Sequence, residues 1–122
     1  MKTPTRNGVA FWVVRSDGAI LLRRRPEMGL LGGMMEVPST DWRNEGWSDA
    51  AAVRVAPIKA DWVLLPGQVR HAFTHFHLKL KILSTHVDDV PVEGVWCQPD
   101  QLGEYALPTL MKKIVIHVFK AG

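Results

Sequence analysis

The sequence between residues 76 and 82 alternates between two kinds of side chain. Every second residue is large and apolar, and the residues between them are basic or imidazole-bearing: Phe76, Leu78, Leu80 and Ile82 alternate with His77, Lys79 and Lys81. A period of two residues places these sets on opposite faces of a β-strand, and the apolar face has to be covered by a core. The chain is therefore predicted to contain a sheet with at least one layer packed on it.

Turn residues divide the rest of the chain into short elements. Asp17-Gly18 between two β-rich runs predicts a hairpin of residues 8–15 and 19–25. A second hairpin is predicted from residues 69–72 and 76–85. The remaining strand candidates are short and lie at residues 34–37, 61–65 and 94–97.

Two helices complete the predicted domain. Residues 47–55 suit a helix capped by Ser48 or Asp49. Near the end of the chain, with Pro108 suited to a first helical turn, apolar residues recur at helical spacing: Leu107, Leu110, Met111, Ile114, Val115 and Val118. The pattern predicts an α+β domain over residues 8–122, with two helices on a mixed, mainly antiparallel sheet, and residues 1–7 as a linker or tail.

Composition bounds the function only loosely. The net charge of +3 permits a nucleic-acid partner without requiring one. The single cysteine, Cys97, excludes an internal disulfide framework and a cluster held by four thiolates of this chain. No apolar run approaches the roughly 20 residues of a membrane helix, and no signal peptide is visible. A cytoplasmic monomer without membrane contact is expected.

The glycine-rich segment GLLGGMMEVPSTDW, residues 29–42, resembles the beginning of a Nudix box. In the Nudix family this box ends in a helix whose carboxylates hold magnesium ions that polarise a diphosphate. When the first glycine of the Nudix box is aligned with Gly33, Ser39 falls at the position of the first glutamate. Residues 47–52 then fall at the position of the acidic helix. Only Glu45 and Asp49 are nearby acids. The resemblance thus implies a Nudix-like fold that has lost the hydrolase acids, with no catalytic residue and no metal.

The whole chain resembles the C-terminal domain of MutY-type A/G-specific adenine DNA glycosylases. Four segments carry the likeness: GLLGGMMEVP, VRHAFTHFHL, VWCQPDQL and ALPTLMKK. In that family the domain helps to recognise 8-oxoguanine opposite adenine in double-stranded DNA, using a Phe-Ser-His loop. The matching residues here are Phe73, Thr74 and His75, so a threonine replaces the serine and the hydroxyl is kept.

The resemblance also implies what this chain lacks. In the family, adenine is flipped out and excised by an N-terminal catalytic domain that carries an iron–sulfur cluster. That domain is an expected partner, and no cofactor is expected in this chain. Residues 1–7 would then be the end of the interdomain linker.

Oxidation of guanine explains why a hydroxyl on a loop suits this role. N7 becomes a donor and an oxygen appears at C8, whereas guanine offers only acceptors on that edge. The Thr74 hydroxyl can donate or accept, and so can backbone groups at a hairpin tip. Phe73 could act as a wedge or support the loop, and His75 could fix its shape or contact a phosphate. DNA-backbone contacts are predicted for the basic face: Arg70, His77, Lys79 and Lys81.

Plainer interpretations apply to the same residues. Thr74 could cap its own turn, and Phe73 could belong to the core. His75 and His77 share the spacing of a metal pair but have no third ligand in view. Lys79 and Lys81 could form a solvated face. Among Arg23, Arg24 and Arg25, which suit an ordinary surface, one could pair with Glu36.

Two other functions remain open at this point. One is a Nudix hydrolase of an oxidised nucleoside triphosphate, which needs carboxylates that the first helix does not provide. The other is a protein-interaction module that uses exposed tryptophans, of which the candidates are Trp12, Trp42, Trp47, Trp62 and Trp96.

Overall fold

The computed structural model describes residues 3–105 and 107–121. It contains one seven-stranded sheet, two α-helices and a 3-10 helix. The strands are β1 Thr5–Arg15, β2 Ile20–Arg24, β3 Met35–Glu36, β4 Val63–Leu64, β5 Val69–Ala72, β6 His77–Val87 and β7 Val95–Cys97. The helices are α1 Asp49–Arg54 and α2 Thr109–Ala121, with the 3-10 helix at Pro99–Glu104.

The centre of the sheet is a long parallel pair. β1 and β6 run side by side from Thr5 opposite His77 to Arg15 opposite Val87. Every other strand pair of the described sheet is antiparallel: the order is β3-β2-β1-β6-β4, with β5 also on β6 and β7 also on β2. The predicted α+β class with a mixed, mainly antiparallel sheet is confirmed.

The beginning of β1 differs from the prediction. Residues 5–7, expected to belong to a tail, are paired with β6, and Asn7 also exchanges backbone hydrogen bonds of 2.6 and 3.0 Å with Arg43. Their side chains are polar and Thr5 and Arg6 are exposed, so no apolar pattern marked this strand segment. Met1 and Lys2, also assigned to the tail, lie outside the described residues.

Side chains cover both faces of the central strands. The larger cluster lies between the sheet and α2, where Leu80 and Ile82 share a core with Met111 and Ile114. The smaller cluster lies on the other face, where Phe11 and Leu83 pack with Ala52 of α1. Such two-sided burial is typical of parallel strands, and it explains why residues 8–13 of β1 are buried without alternation.

The predicted turns and caps are largely confirmed. β1 and β2 form the hairpin around Asp17-Gly18, and the Ser48 hydroxyl accepts a hydrogen bond from the Ala51 amide at the start of α1. Leu107 precedes α2 instead of lying within it, yet it packs on the core as its place in the stripe predicted. The 3-10 helix Pro99–Glu104 was not predicted. In the part of the chain that the structure describes, no helix is long and apolar enough to cross a membrane.

Candidate functional site

The hairpin of β5 and β6 ends in a two-residue turn at the rim of the sheet. Ala72 opposite His77 is its last strand pair, and the Phe73 amide donates to the Phe76 carbonyl at 2.8 Å. Thr74 and His75 lie between these positions, and both side chains are exposed. The residues singled out from the sequence therefore form a tip, as predicted, and the tip projects from a closed hydrogen-bonded turn.

Four rings support this tip, and we call them the aromatic platform: Trp42, His71, Phe73 and Phe76. The ring of Phe73 lies 5.8 Å from that of Trp42, 4.8 Å from that of Phe76 and 4.7 Å from that of His71. Aromatic pairs at such distances add to the stability gained by burial. Phe73 is half-buried within the platform, which suits a supporting role better than a protruding wedge.

Two arginines cover the platform from outside. The guanidinium of Arg6 lies 4.3 Å from the ring centre of Phe76, and that of Arg25 lies 4.8 Å from the ring centre of Trp42. Both arginines line a cleft of about 330 Å³ beside the tip, together with Trp42 and others. No sequence pattern placed Arg6, Arg25 or Trp42 beside the tip, because they come from three distant segments that meet only in the fold.

Three polar groups of Thr74 and His75 have no protein partners among residues 3–105 and 107–121. The Thr74 hydroxyl and the backbone amides of Thr74 and His75 make no hydrogen bond there. The interpretation of Thr74 as a residue that caps its own turn is therefore not supported. One hydroxyl and two amides of adjacent exposed residues are therefore without a partner in the described part of the chain.

His71 is the polar member of the platform. Burial is the main reason why its pKa lies below the ordinary value for histidine, and the nearby positive charge of Lys113 lowers it further. Its Nδ1 is buried without a hydrogen-bond partner in the described residues. At neutral pH the imidazole is thus uncharged, as suits a ring packed at 74° against Phe73.

The predicted basic face divides into two parts. Arg70 lies opposite Lys79 on the same side of the sheet, and His77 is exposed further along β6. None of these three takes part in the ion pairs of the described residues. Lys81 is different, because its ammonium donates to Asp49 at 2.8 Å and to the Trp47 carbonyl at 2.6 Å. Lys81 therefore links β6 to α1.

Glu36 is a buried carboxylate that binds two arginines, one of which lines the cleft. It is only 2% exposed, and its carboxylate accepts hydrogen bonds of 2.8 Å from both Arg23 and Arg25. Arg25 also donates to the Leu30 carbonyl at 3.0 Å. Of the alternatives left open for Glu36, the structure shows pairing with arginines, and Arg25 connects the buried carboxylate, the glycine-rich loop and the aromatic platform.

A family model described as NUDIX domain matches residues 9–117. The chain belongs to the Nudix domain family. It is 30% identical to human adenine DNA glycosylase and 29% identical to the mouse protein of that name, each over 129 aligned residues that cover 93% of this chain. Those stretches are 24% and 25% of the relatives, so the chain spans about a quarter of the length of the curated relatives it matches.

Solved structures show the same Nudix fold. The MutT protein from Methanosarcina mazei Go1 has a TM-score of 0.74 at 17% identity, over 98% of this chain and 96% of its own. The C-terminal domain of mouse MUTYH, solved in complex with human PCNA, has a TM-score of 0.68 at 21% identity, over 94% and 88%. At identities of 17% and 21%, these matches show a shared fold alone.

The magnesium chemistry of Nudix hydrolases does not fit the residues present. α1 carries a single carboxylate, Asp49, and that carboxylate is paired with Lys81. Within the described ranges no group of three or more histidine, cysteine, aspartate or glutamate side chains could hold a metal ion. A hard cation needs several oxygen ligands, which α1 does not supply, and the pair His75 and His77 gains no third ligand among the described residues.

The tryptophans do not form an exposed interaction surface. Trp12 is buried, and the other four are half-buried. Each of those four has a defined partner or core position: Trp42 on Phe73, Trp47 under the guanidinium of Arg43, Trp62 on Phe11 and Trp96 under Arg15. The hypothesis of a protein-interaction module built on exposed tryptophans loses its basis.

Proposed function

We propose that this chain recognises 8-oxoguanine opposite adenine in double-stranded DNA, as the noncatalytic module of an adenine DNA glycosylase. Nearly the whole chain aligns with a segment of human adenine DNA glycosylase at 30% identity. The observation that carries the proposal is the exposed pair Thr74-His75, whose hydroxyl and amides have no partner in the described part of the chain.

The tip offers the groups that the oxidised base requires. The new N–H at position 7 needs an acceptor, which the Thr74 hydroxyl oxygen supplies. The new oxygen at C8 needs a donor, which the same hydroxyl or the free backbone amides of Thr74 and His75 supply. Guanine has an acceptor at N7 and no oxygen at C8, so these contacts favour the damaged base.

The aromatic platform gives the tip a fixed geometry before DNA arrives. Phe73 is held between Trp42 and His71, and its amide is bonded to the Phe76 carbonyl. A preorganised loop loses less conformational entropy on binding than a flexible one. The replacement of a serine by Thr74 suits this role, because a β-branched side chain has fewer rotamers to lose.

The basic face adds attraction that does not depend on sequence. Arg70 and Lys79 are neighbours on the sheet surface that take part in no ion pair within the described ranges, and His77 extends the face toward the tip. Contacts of this kind hold the phosphate backbone and orient the protein on the duplex. Lesion preference is therefore assigned to the tip, and general affinity to the basic face.

Excision of adenine is assigned to a separate catalytic domain of the parent protein. We place no catalytic residue in this chain. The alternative function, hydrolysis of an oxidised nucleoside triphosphate, is weaker because α1 provides one carboxylate, already bound to Lys81.

An amide-shift titration by NMR at fixed salt tests the proposal. One duplex carries 8-oxoguanine opposite adenine, and the other carries guanine at the same position. We expect shifts at Phe73, Thr74 and His75 with the damaged duplex only, lost in Thr74→Val and retained in Thr74→Ser. Equal shifts at the tip with both duplexes, or a Thr74→Val variant that still discriminates, would contradict the assignment of lesion recognition to the Thr74 hydroxyl.

A further inference from the structure

A second group of basic side chains lies on α2, beside the edge of β5. Lys113, His117 and Lys120 recur at helical spacing on one side of α2. Together with Arg70 of β5 they line a shallow groove of about 220 Å³, which also includes Val69 and Ile116. We call Arg70, Lys113, His117 and Lys120 the helix patch.

Nothing in the described structure neutralises the helix patch. α2 has no acidic residue, and none of the four ion pairs among residues 3–105 and 107–121 involves these side chains. Lys120 lies in the last turn, where the helix dipole favours a cation. Lys113 is the fifth residue of α2, beyond the first turn, so the helix dipole does not explain its presence.

Positive side chains lie on both faces of β5 in this region. The Lys113 ammonium donates to the Arg70 carbonyl at 3.2 Å, which brings it against β5. Arg70 lies directly opposite Lys79 in the sheet, an arrangement that is unfavourable for two cations. Val69 and its partner Leu80 belong to the core beneath α2, so the neighbouring pair Arg70 and Lys79 points to the other face of the sheet. Positive charge therefore flanks this edge strand on both faces, which is unfavourable unless an anionic ligand offsets the repulsion.

We infer that the helix patch binds the phosphate backbone of the duplex whose damaged base contacts the tip. The inference rests on the proposed function. Arg70 precedes Phe73 by three residues in an extended strand, which places it roughly 10 Å from the tip at about 3.3 Å per residue. The patch therefore lies within reach of the same duplex, and it extends the predicted backbone contacts of Arg70 and Lys79 onto α2.

The salt dependence of DNA binding tests this inference with a matched control. The variant is Lys113→Gln/Lys120→Gln, which keeps helix propensity and removes two charges. The control is Lys112→Gln, on the same helix but facing a different groove, lined by Leu102 and Tyr105. Fluorescence anisotropy measures Kd for the damaged and undamaged duplexes at several salt concentrations, and thermal unfolding verifies that all variants are folded.

We expect the double variant to bind both duplexes more weakly by the same factor. Its slope of log Kd against log salt should fall by about 1.8, since each phosphate contact contributes roughly 0.9. Lys112→Gln should keep the slope of the unmodified protein. An unchanged slope in the double variant would overturn the inference. So would a Lys112→Gln slope that falls by as much per removed charge as the slope of the double variant.

The same experiment separates this inference from the proposed function. If Thr74→Val loses discrimination while the double variant keeps its slope, the tip reads the lesion and the helix patch does not hold DNA. If the double variant keeps its slope but loses binding to a poly-glutamate peptide, the patch serves an acidic protein segment and the inference fails. If the slope falls while Thr74→Val still discriminates, the patch binds DNA and the proposed reading of the lesion fails.

Discussion

The ring of Phe73 stacks on that of Trp42, with their planes 27° apart. Phe73 belongs to the hairpin tip, whereas Trp42 follows β3 and lies under the guanidinium of Arg25. This contact joins the β5–β6 hairpin to the glycine-rich side of the domain. The position of the tip is therefore set by residues far from it in sequence.

Truncation of Phe73 should loosen the tip as well as the fold. We expect Phe73→Ala to lower the free energy of unfolding by about 1–3 kcal/mol, below the range for a fully buried phenylalanine because the ring is half-buried. Urea unfolding measures the change, and amide relaxation at Thr74 and His75 reports the lost order. Phe119→Ala is the control, because Phe119 is 59% exposed and far from the tip in sequence. If Phe73→Ala costs no more than the control, the platform does not support the tip.

Lys79 and Lys81 should differ in their effect on DNA binding although they lie two residues apart on one strand face. Lys79→Gln removes a charge that forms no ion pair in the described part of the chain. Both duplexes should therefore bind more weakly, and the salt slope should fall by about 0.9. Lys81→Gln removes a charge already paired with Asp49 and should change the slope less while lowering stability. Anisotropy and urea unfolding measure the two properties. Equal salt slopes for the two variants would show that Lys81 contacts DNA despite its ion pair with Asp49.

Loss of the buried carboxylate should be costly. Glu36→Gln removes the negative charge that neutralises Arg23 and Arg25, and we expect the free energy of unfolding to fall by about 1–3 kcal/mol. The arginines are partly exposed, so water offsets some of the loss. Glu27→Gln, at an exposed position nearby, serves as the control. If Glu36→Gln has the same urea midpoint as Glu27→Gln, the Glu36 carboxylate between the two arginines is not structurally important.

The turn between β1 and β2 should contribute to stability in a pH-dependent way. Hydrogen bonds from Arg15 and from the Ala19 amide lower the pKa of Asp17 from 3.8 to about 2. A carboxyl whose pKa is depressed by folding stabilises the fold above its unfolded value, and this contribution disappears as the pH falls from about 4 to about 2. Asp17→Asn should therefore be less stable than the unmodified protein at pH 7, with the difference shrinking across that window.

Thermal unfolding between pH 2 and pH 7 measures this effect. Glu45→Gln is the control, because Glu45 is exposed and forms none of the ion pairs of the described residues. If the difference in unfolding temperature between Asp17→Asn and the unmodified protein stays constant down to pH 2, the Asp17 carboxylate is not the source of the pH dependence.

Local patterns predicted most of the fold. The alternation along β6, the Asp17-Gly18 turn and the apolar stripe of α2 each involve residues within a few positions of one another, and all three elements are present. The polar start of β1 was missed because its stability comes from backbone pairing with β6 rather than from its own side chains. Period and turn chemistry carry no information about such distant partners.

The same distinction applies to the candidate site. Phe73, Thr74 and His75 could be singled out because they are consecutive and match a family loop. Arg6, Arg25 and Trp42 could not, because only tertiary structure brings them to the tip. The sequence also could not show that Lys81 forms an ion pair whereas Lys79 forms none among the described residues, since the partner Asp49 lies on α1.

The parallel pairing of β1 with β6 also has a consequence for synthesis on the ribosome. Within this domain β1 is synthesised well before its partner, which begins only at His77. At roughly 5–20 residues per second, β6 follows several seconds later. During that interval the apolar run from Val9 to Val13 has no strand on its β6 side. The nascent chain is therefore expected to need a chaperone, or rapid β1–β2 hairpin formation, to avoid aggregation before the central pair can close.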